Sequence, residues 1–211
     1  MIPGSILFID EIHRMPSTVE EMLYPVMEDF RLDIGGDEAT SIPIPEFTLI
    51  GATTIGGMLS KPLYDRFIYN YNMKLYDVPS ICQLLSINAV KIGLTLDNSA
   101  LQSLAARCRG TPRIANHFLM WLGDYSVWKD QTFFTYKMLD EAMLMLGVDS
   151  EGMTKEDHVY LAALRKSNAP VGLATLSSMT NIDSCTITDV IEPYLIFKGL
   201  IVKTPMGRRL A

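Results

Sequence analysis

The sequence predicts an α/β fold in three parts: a parallel-sheet domain over residues 1–78, an all-helical subdomain over 79–150, and a small helix-and-ribbon domain over 151–211. Three observations carry this. The runs SILFI (5–9) and FTLIGATT (47–54) have the length and apolar, β-branched character of strands buried in a parallel sheet. Between residues 80 and 146 the apolar residues recur at helical spacing, broken at Gly93, Gly110 and Pro112. From about residue 154 the pattern becomes three helices and then two short strands, the element order of a winged-helix variant of the helix-turn-helix.

Taken in order, the first strand ends in Asp10-Glu11. Residues 17–30 place apolar side chains at 19, 22, 23, 26, 27 and 30, a helical spacing, with Ser17 or Thr18 as cap and Glu20 and Glu21 in the first turn. Residues 31–46 read as a hairpin in which RLDI and SIPI flank a turn at Gly35-Gly36. The second strand, 47–54, ends in Thr53-Thr54. Gly56-Gly57 opens a loop, 63–67 reads as a short helix and 73–78 as a third strand. Helices are expected over 80–93, 97–108, 112–127 and 135–146, then over 155–166, 172–179 and 186–198, with short strands around Gly199 and Gly207. Trp121 and Trp128, seven apart on one helical face, are expected to pack, and Met138, Met143 and Met145 to fill the core.

With 48% hydrophobic and 20% charged residues, the 211-residue chain can bury a real core and lacks the composition of a disordered protein. No apolar stretch approaches the roughly 20 residues that span a bilayer. The opening MIPGSILFIDE lacks a leader's basic start and cleavage site. Cys82, Cys108 and Cys185 form no CxxC pair, and His13, His117 and His158 have no metal-ligand spacing. A cytoplasmic protein without membrane contact is expected. The net charge of -6 counts against nucleic acid over the chain as a whole. Residues 151–211, however, carry seven basic against six acidic side chains, so any DNA contact is expected there, around Lys203, Arg208 and Arg209.

An apolar strand ending in Asp-Glu is the Walker B pattern of ATPases. Strand carboxyl ends face the ligand crevice in open α/β sheets, where Asp10 can hold Mg2+ through water and Glu11 can polarise an attacking water. The bland alternative is two acids at a strand end. Thr54, at the tip of the second strand, can place its hydroxyl between the γ-phosphate and that water (the role called sensor 1), although a strand-end threonine is more often structural. Arg66 follows a Gly-rich loop and either reaches the nucleotide of an adjacent subunit or pairs with a nearby acid. Such arginine fingers are worth roughly 10³–10⁵ in rate. Arg113 follows Gly110-Thr111-Pro112 at a helix start and is either a γ-phosphate contact (sensor 2) or an exposed surface residue.

LFIDEIHRM, EEMLYPVMEDF, FTLIGATT, PLYDRF, RGTPRIAN and VIEPYLIFKGLIVKTPMGR, in this order, resemble the RuvB family of bacterial Holliday-junction branch-migration motors, members of the AAA+ class. The resemblance runs from about Ser5 to Arg208. It implies the C-terminal part of an AAA+ parallel-sheet domain, a helical lid and a winged-helix domain. It further implies ATP and Mg2+ as cofactors, a homo-hexameric ring around double-stranded DNA at a Holliday junction, and a RuvA-like junction-binding partner. By position, Asp10 and Glu11 resemble Walker B, Thr54 sensor 1, Arg66 the trans arginine finger and Arg113 sensor 2. Glu28, Asp29, Phe30 and Tyr76 match nucleotide-neighbouring positions; Lys203, Arg208 and Arg209 match basic positions of the DNA-contacting wing, where contacts go to phosphates.

Four departures from the family pattern carry expectations of their own. GxxxxGK[ST] occurs nowhere in the 211 residues, so this chain alone is expected neither to bind ATP tightly nor to hydrolyse it. The hairpin, which docks RuvA in the family, is shorter. Tyr64 and Met206 stand where the family has arginine. The helix after Arg113 reads HFLMWLGDYSVW where the family is rich in arginine. A non-catalytic DNA-binding or ring-assembly module is therefore a competing reading, and a winged-helix transcription regulator a third.

Overall fold

The computed structural model describes residues 2–35, 40–167 and 169–211. It divides into two compact units, Met1–Met73 and Lys74–Ala211.

In the first unit β1 (Ser5–Ile9) is followed by a single turn at Ile12–Arg14 and by α1 (Ser17–Glu28). The hairpin β2 (Arg31–Ile34) and β3 (Thr40–Pro43) comes next, then β4 (Phe47–Gly51) and α2 (Lys61–Arg66). β1 and β4 pair in parallel, in register from Ser5–Phe47 to Ile9–Gly51. The pairing continues past the strand ends through Ala52 N–H to Ile9 C=O and Ile12 N–H to Ala52 C=O, each 2.9 Å. These two bonds tie the Asp10-Glu11 tip to the Thr53-Thr54 tip. Gly51 sits close under its neighbours: a Cβ there would meet Ile12 Cδ1 and Phe67 Cζ at 3.0 Å, so both side chains would have to shift by a few tenths of an ångström. The core beneath is thin, with Ile12, Val26 and Leu63 its buried apolar residues.

Three expectations fail here. Both strands were expected to be wholly buried, yet alternate side chains point out, leaving Ile6 67% and Phe8 58% exposed. α1 starts at the expected residue, but its N-cap is Pro16 and no hydroxyl caps it. Residues 73–77 form no strand: an alternating apolar run becomes a strand only with a neighbour to pair with, and the Tyr76 N–H is instead donated to the Gly110 carbonyl at 2.9 Å. Asp77 then starts a helix by accepting from Ser80 N–H at 2.9 Å. The hairpin forms as expected, while Gly36 of its turn lies outside the described residues.

The second unit opens with α3 (Val78–Lys91), β5 (Thr95–Leu96), α4 (Asn98–Arg107), α5 (Pro112–Lys129), β6 (Phe133–Phe134) and α6 (Tyr136–Leu146). Their apolar stripes close one core around Leu85, Leu104, Leu122, Phe134 and Leu139, all fully buried. Asp97 and Thr135 cap α4 and α6 with their side chains, and Gly147 ends α6 in the left-handed conformation. Of the two tryptophans, Trp121 packs and donates to Ala142 C=O at 3.0 Å, whereas Trp128 is exposed, as is Met145 of the methionine set.

α7 (Lys155–Arg165) begins with a capping box between Thr154 and Asp157. α8 (Leu173–Thr180) and α9 (Ser184–Thr186) follow. A π turn at Ile187–Ile191 then leads into α10 (Glu192–Phe197), and β7 (Ile201–Thr204) and β8 (Gly207–Leu210) close the chain. The periodicity suggested one unbroken helix over 186–198. Pro193 has no N–H to give the carbonyl four residues back, so the hydrogen-bond register shifts ahead of it. β7 and β8 pair antiparallel, and Val171 exchanges two 2.8 Å backbone bonds with Arg208, fastening the ribbon to the helices. This is the winged-helix arrangement.

Candidate nucleotide site and DNA-facing wing

Parallel pairing in the first unit puts two polar strand tips side by side. Glu11 leaves the strand in the left-handed region, φ 48°, which costs a non-glycine residue about 1–3 kcal/mol. That turn aims its carboxylate at the neighbouring tip. Thr54 donates to it twice, from its backbone N–H (3.2 Å) and from its hydroxyl (3.0 Å to Oε2). His13 Nδ1 stands 3.2 Å from the same carboxylate and 2.8 Å from Thr53 Oγ1. The Thr54 backbone N–H is the main cause that holds the Glu11 carboxyl below its usual range, with the Thr54 hydroxyl, His13 and Arg14 adding to it against some desolvation. Glu11 therefore stays ionised to lower pH than an ordinary glutamate does. Asp10 is exposed and accepts its neighbour's N–H, from Glu11, at 3.0 Å.

Arg66 is engaged within its own chain. Its Nε lies 3.0 Å from Glu28 Oε1, its guanidinium stacks 4.1 Å above the Tyr24 ring, and its NH1 donates to Pro62 C=O at 2.9 Å. The partner acid is Glu28, not the adjacent Asp65. Asp29 pairs instead with Arg31 at 3.4 Å, and Phe30 (φ 52°) packs edge-on against Phe47. Glu28, Asp29 and Phe30 therefore lie where α1 meets the hairpin, with Glu28 tied to Arg66.

In the second unit Tyr76 is held by its backbone bond to Gly110, where φ is +65° and an added Cβ would meet Tyr76 O at 2.6 Å. Arg113 is exposed in the first turn of α5 and has no ion-pair partner among the described residues. A cation at a helix N-terminus opposes the helix dipole, so this placement favours an anion arriving there.

At the wing, the basic residues divide. Glu192, with 0% exposure, takes Lys203 Nζ at 2.6 Å, Arg208 Nε at 2.8 Å and the Tyr160 hydroxyl at 3.0 Å. Burial raises the Glu192 carboxyl, but the bonds from Arg208, Lys203 and Tyr160 outweigh it and leave it below its ordinary value. The Tyr160 hydroxyl is driven above its usual range by the same burial and by the Glu192 charge. Arg208 is 17% exposed and Lys203 46%, while Arg209 points to solvent on the other face of β8. Glu192 carries no local signal, because an acid in an amphipathic helix looks solvated until the fold buries it. Nor did it reveal the His13–Thr53 link, although His13 directly follows the Walker B acids.

A strand-tip Asp-Glu hydrogen-bonded to a strand-tip threonine is followed along the chain by a helical subdomain, with an arginine at a helix start that has no ion-pair partner among the described residues, and then by a winged helix. Comparison gives the family. Residues 1–73 match the Holliday junction DNA helicase RuvB P-loop domain, 76–149 the RuvB AAA lid domain and 150–211 the RuvB C-terminal winged helix domain. The chain is 42% identical to the Holliday junction branch migration complex subunit RuvB of Campylobacter curvus, over 97% of this chain and 62% of that protein. It is 44% identical to that of Streptococcus equi subsp. zooepidemicus, over 98% and 64%. It superimposes on the Thermotoga maritima RuvB Holliday junction branch migration motor with TM-score 0.83 and 33% identity, covering 99% of this chain and 67% of that one. The chain belongs to the RuvB family, and it spans a little under two thirds of the length of these curated relatives.

Proposed function

We propose that this chain is the greater part of an ATP-driven subunit that moves double-stranded DNA through a Holliday junction. The observation that supports this most directly is Thr54 donating twice to Glu11 across two paired strand tips. In this reading Glu11 accepts a proton from the attacking water and Thr54 orients that water. Arg66, released from Glu28, stabilises transition-state charge in a neighbouring subunit of a hexamer, and Arg113 contacts the terminal phosphate of its own subunit. Asp10 is a lone exposed carboxylate, which suits Mg2+, an ion that keeps several waters and takes its other ligands from phosphates. That ion would supply charge neutralisation at the phosphates. The residues here fit the hydrolysis side of such a site. The phosphate cradle has to come from a GxxxxGK[ST] segment, and without one the 211 residues should show no turnover. Membership of the family implies that Glu28, Asp29, Phe30 and Tyr76 occupy nucleotide-neighbouring positions. A RuvA-like partner would dock on the hairpin, whose Ile34 and Ile42 are exposed.

For DNA, Arg209 is the wing basic residue with no ion-pair partner among the described residues, while Lys203 and Arg208 share their charges with Glu192. Arg209→Ala should therefore shallow the log–log salt dependence of duplex binding by about 0.9, the contribution of one phosphate contact, and weaken all sequences alike. Arg208→Ala should act mainly on the stability of the winged helix. Fluorescence anisotropy on duplexes of unrelated sequence checks both, and a strong preference for one duplex would favour the transcription-regulator reading. The non-catalytic reading is favoured by the intact winged helix together with the lack of GxxxxGK[ST]. Turnover after adding a P-loop-bearing segment excludes it.

A further inference from the structure

We propose that Arg109 pins the winged helix to the lid, so that residues 76–211 move as one lever joining Tyr76 and Arg113 to the wing. Arg109 closes α4 in the left-handed region, φ 54°, a conformation that persists only where the surroundings hold it. From there its side chain, 10% exposed, reaches three separate groups of the winged helix. Nε donates to Gly152 C=O at 2.8 Å, NH2 is ion-paired with Asp157, which is 1% exposed, and the guanidinium lies 4.2 Å above the Tyr194 ring. Asp157 is itself fixed, because it closes the capping box of α7. Tyr194 is fixed by its hydroxyl on Glu151 C=O.

The turn that joins the two domains is hydrogen-bonded within itself. Asp149 Oδ1 accepts from Glu151 N–H (2.9 Å) and Met153 N–H (2.8 Å), and Asp149 Oδ2 meets His158 Nε2 at 2.7 Å. Gly152 lies so close to α4 that a Cβ would stand 2.6 Å from Arg107 O. On the other side of Arg109, Gly110 holds the Tyr76 backbone and leads through Thr111-Pro112 into Arg113. Tyr76, Arg109, Tyr194 and Lys198 line one cleft of about 210 Å³. The Tyr76–Gly110 contact leading to Arg113 and the Gly152, Asp157 and Tyr194 contacts of the winged-helix domain thus meet around one arginine. What the lever transmits rests on the motor reading above; its rigidity does not.

The test is 15N relaxation on the full 211-residue chain, comparing amides of 76–149 with those of 150–211. One shared rotational diffusion tensor is expected for the wild type. Arg109→Lys, which keeps a charge facing Asp157 but loses the planar stack and the Gly152 bond, and Arg109→Ala should each let the winged helix tumble separately. Lys198→Ala, which removes the exposed pair with Glu151 and the ammonium 5.8 Å from the Tyr194 ring but none of the Arg109 contacts, should leave the tensor shared. The lysine variant decides should the alanine variant not fold. Separate tensors in the wild type, or an undivided tensor in Arg109→Lys, would overturn the proposal. Duplex binding measured on the same samples addresses the motor reading on its own: absent binding counts against that reading and leaves the joint untouched.

Discussion

Glu11→Gln, in a ring completed with a GxxxxGK[ST]-bearing segment, is expected to lose at least about 10²–10⁴-fold in ATP turnover, the range for a positioned general base, while nucleotide affinity stays within a few-fold. Glutamine fills the same space and can still meet Thr54, so the strained backbone at residue 11 is not disturbed. What it cannot do is accept a proton. The low position of the Glu11 carboxyl adds a pH arm. Its ionised form is present above its lowered pKa, so the acid limb of the turnover profile should fall below the usual carboxylate range of about 4.5. Steady-state phosphate release together with a fluorescent-nucleotide titration reads both quantities. Undiminished turnover in Glu11→Gln would remove this residue from the chemistry.

Glu192→Ala should destabilise the winged helix by about 3–5 kcal/mol, the cost of removing one partner from a buried ion-pair network. Lys203, Arg208 and Tyr160 would lose their common acceptor at once. Against the 5–15 kcal/mol that holds an ordinary domain together, this is enough to unfold it. The sign with pH follows from the lowered Glu192 carboxyl. Its stabilisation is fully present above the unfolded carboxylate value and is lost as pH falls through the lower folded one. In Glu192→Gln that acid-dependent loss should be absent. Amide signals of residues 150–211, followed through urea at pH 7 and near pH 3, measure both effects.

The sequence disclosed those features that follow from local pattern. Apolar runs announced β1 and β4, apolar periodicity announced the helices, and the Asp-Glu and Thr-Thr tips could be named as one site because parallel strands align their ends. What stayed hidden depends on how distant segments meet. Whether Arg208 is free for phosphate or tied down depends on an acid sixteen residues away, buried by a fold that no spacing encodes. Arg66 reads as a free finger or as the partner of a nearby acid, and only the packing of α2 on α1 shows that acid to be Glu28 and brings Tyr24 to the guanidinium. Residues 73–77 have the alternation of a strand but no partner strand, and a ladder needs two sides. Nothing in the sequence singles out Arg109, because its role depends on a left-handed backbone and on three groups more than forty residues downstream.

A double-mutant cycle of Glu11→Gln and Thr54→Val, read as single-turnover ATP hydrolysis in the completed ring, tests most directly whether the two tips act as one device. If they do, the double variant is no slower than the slower single variant, since each change disables the same unit. Rate losses that multiply would show two independent residues and contradict a shared site at the ends of β1 and β4.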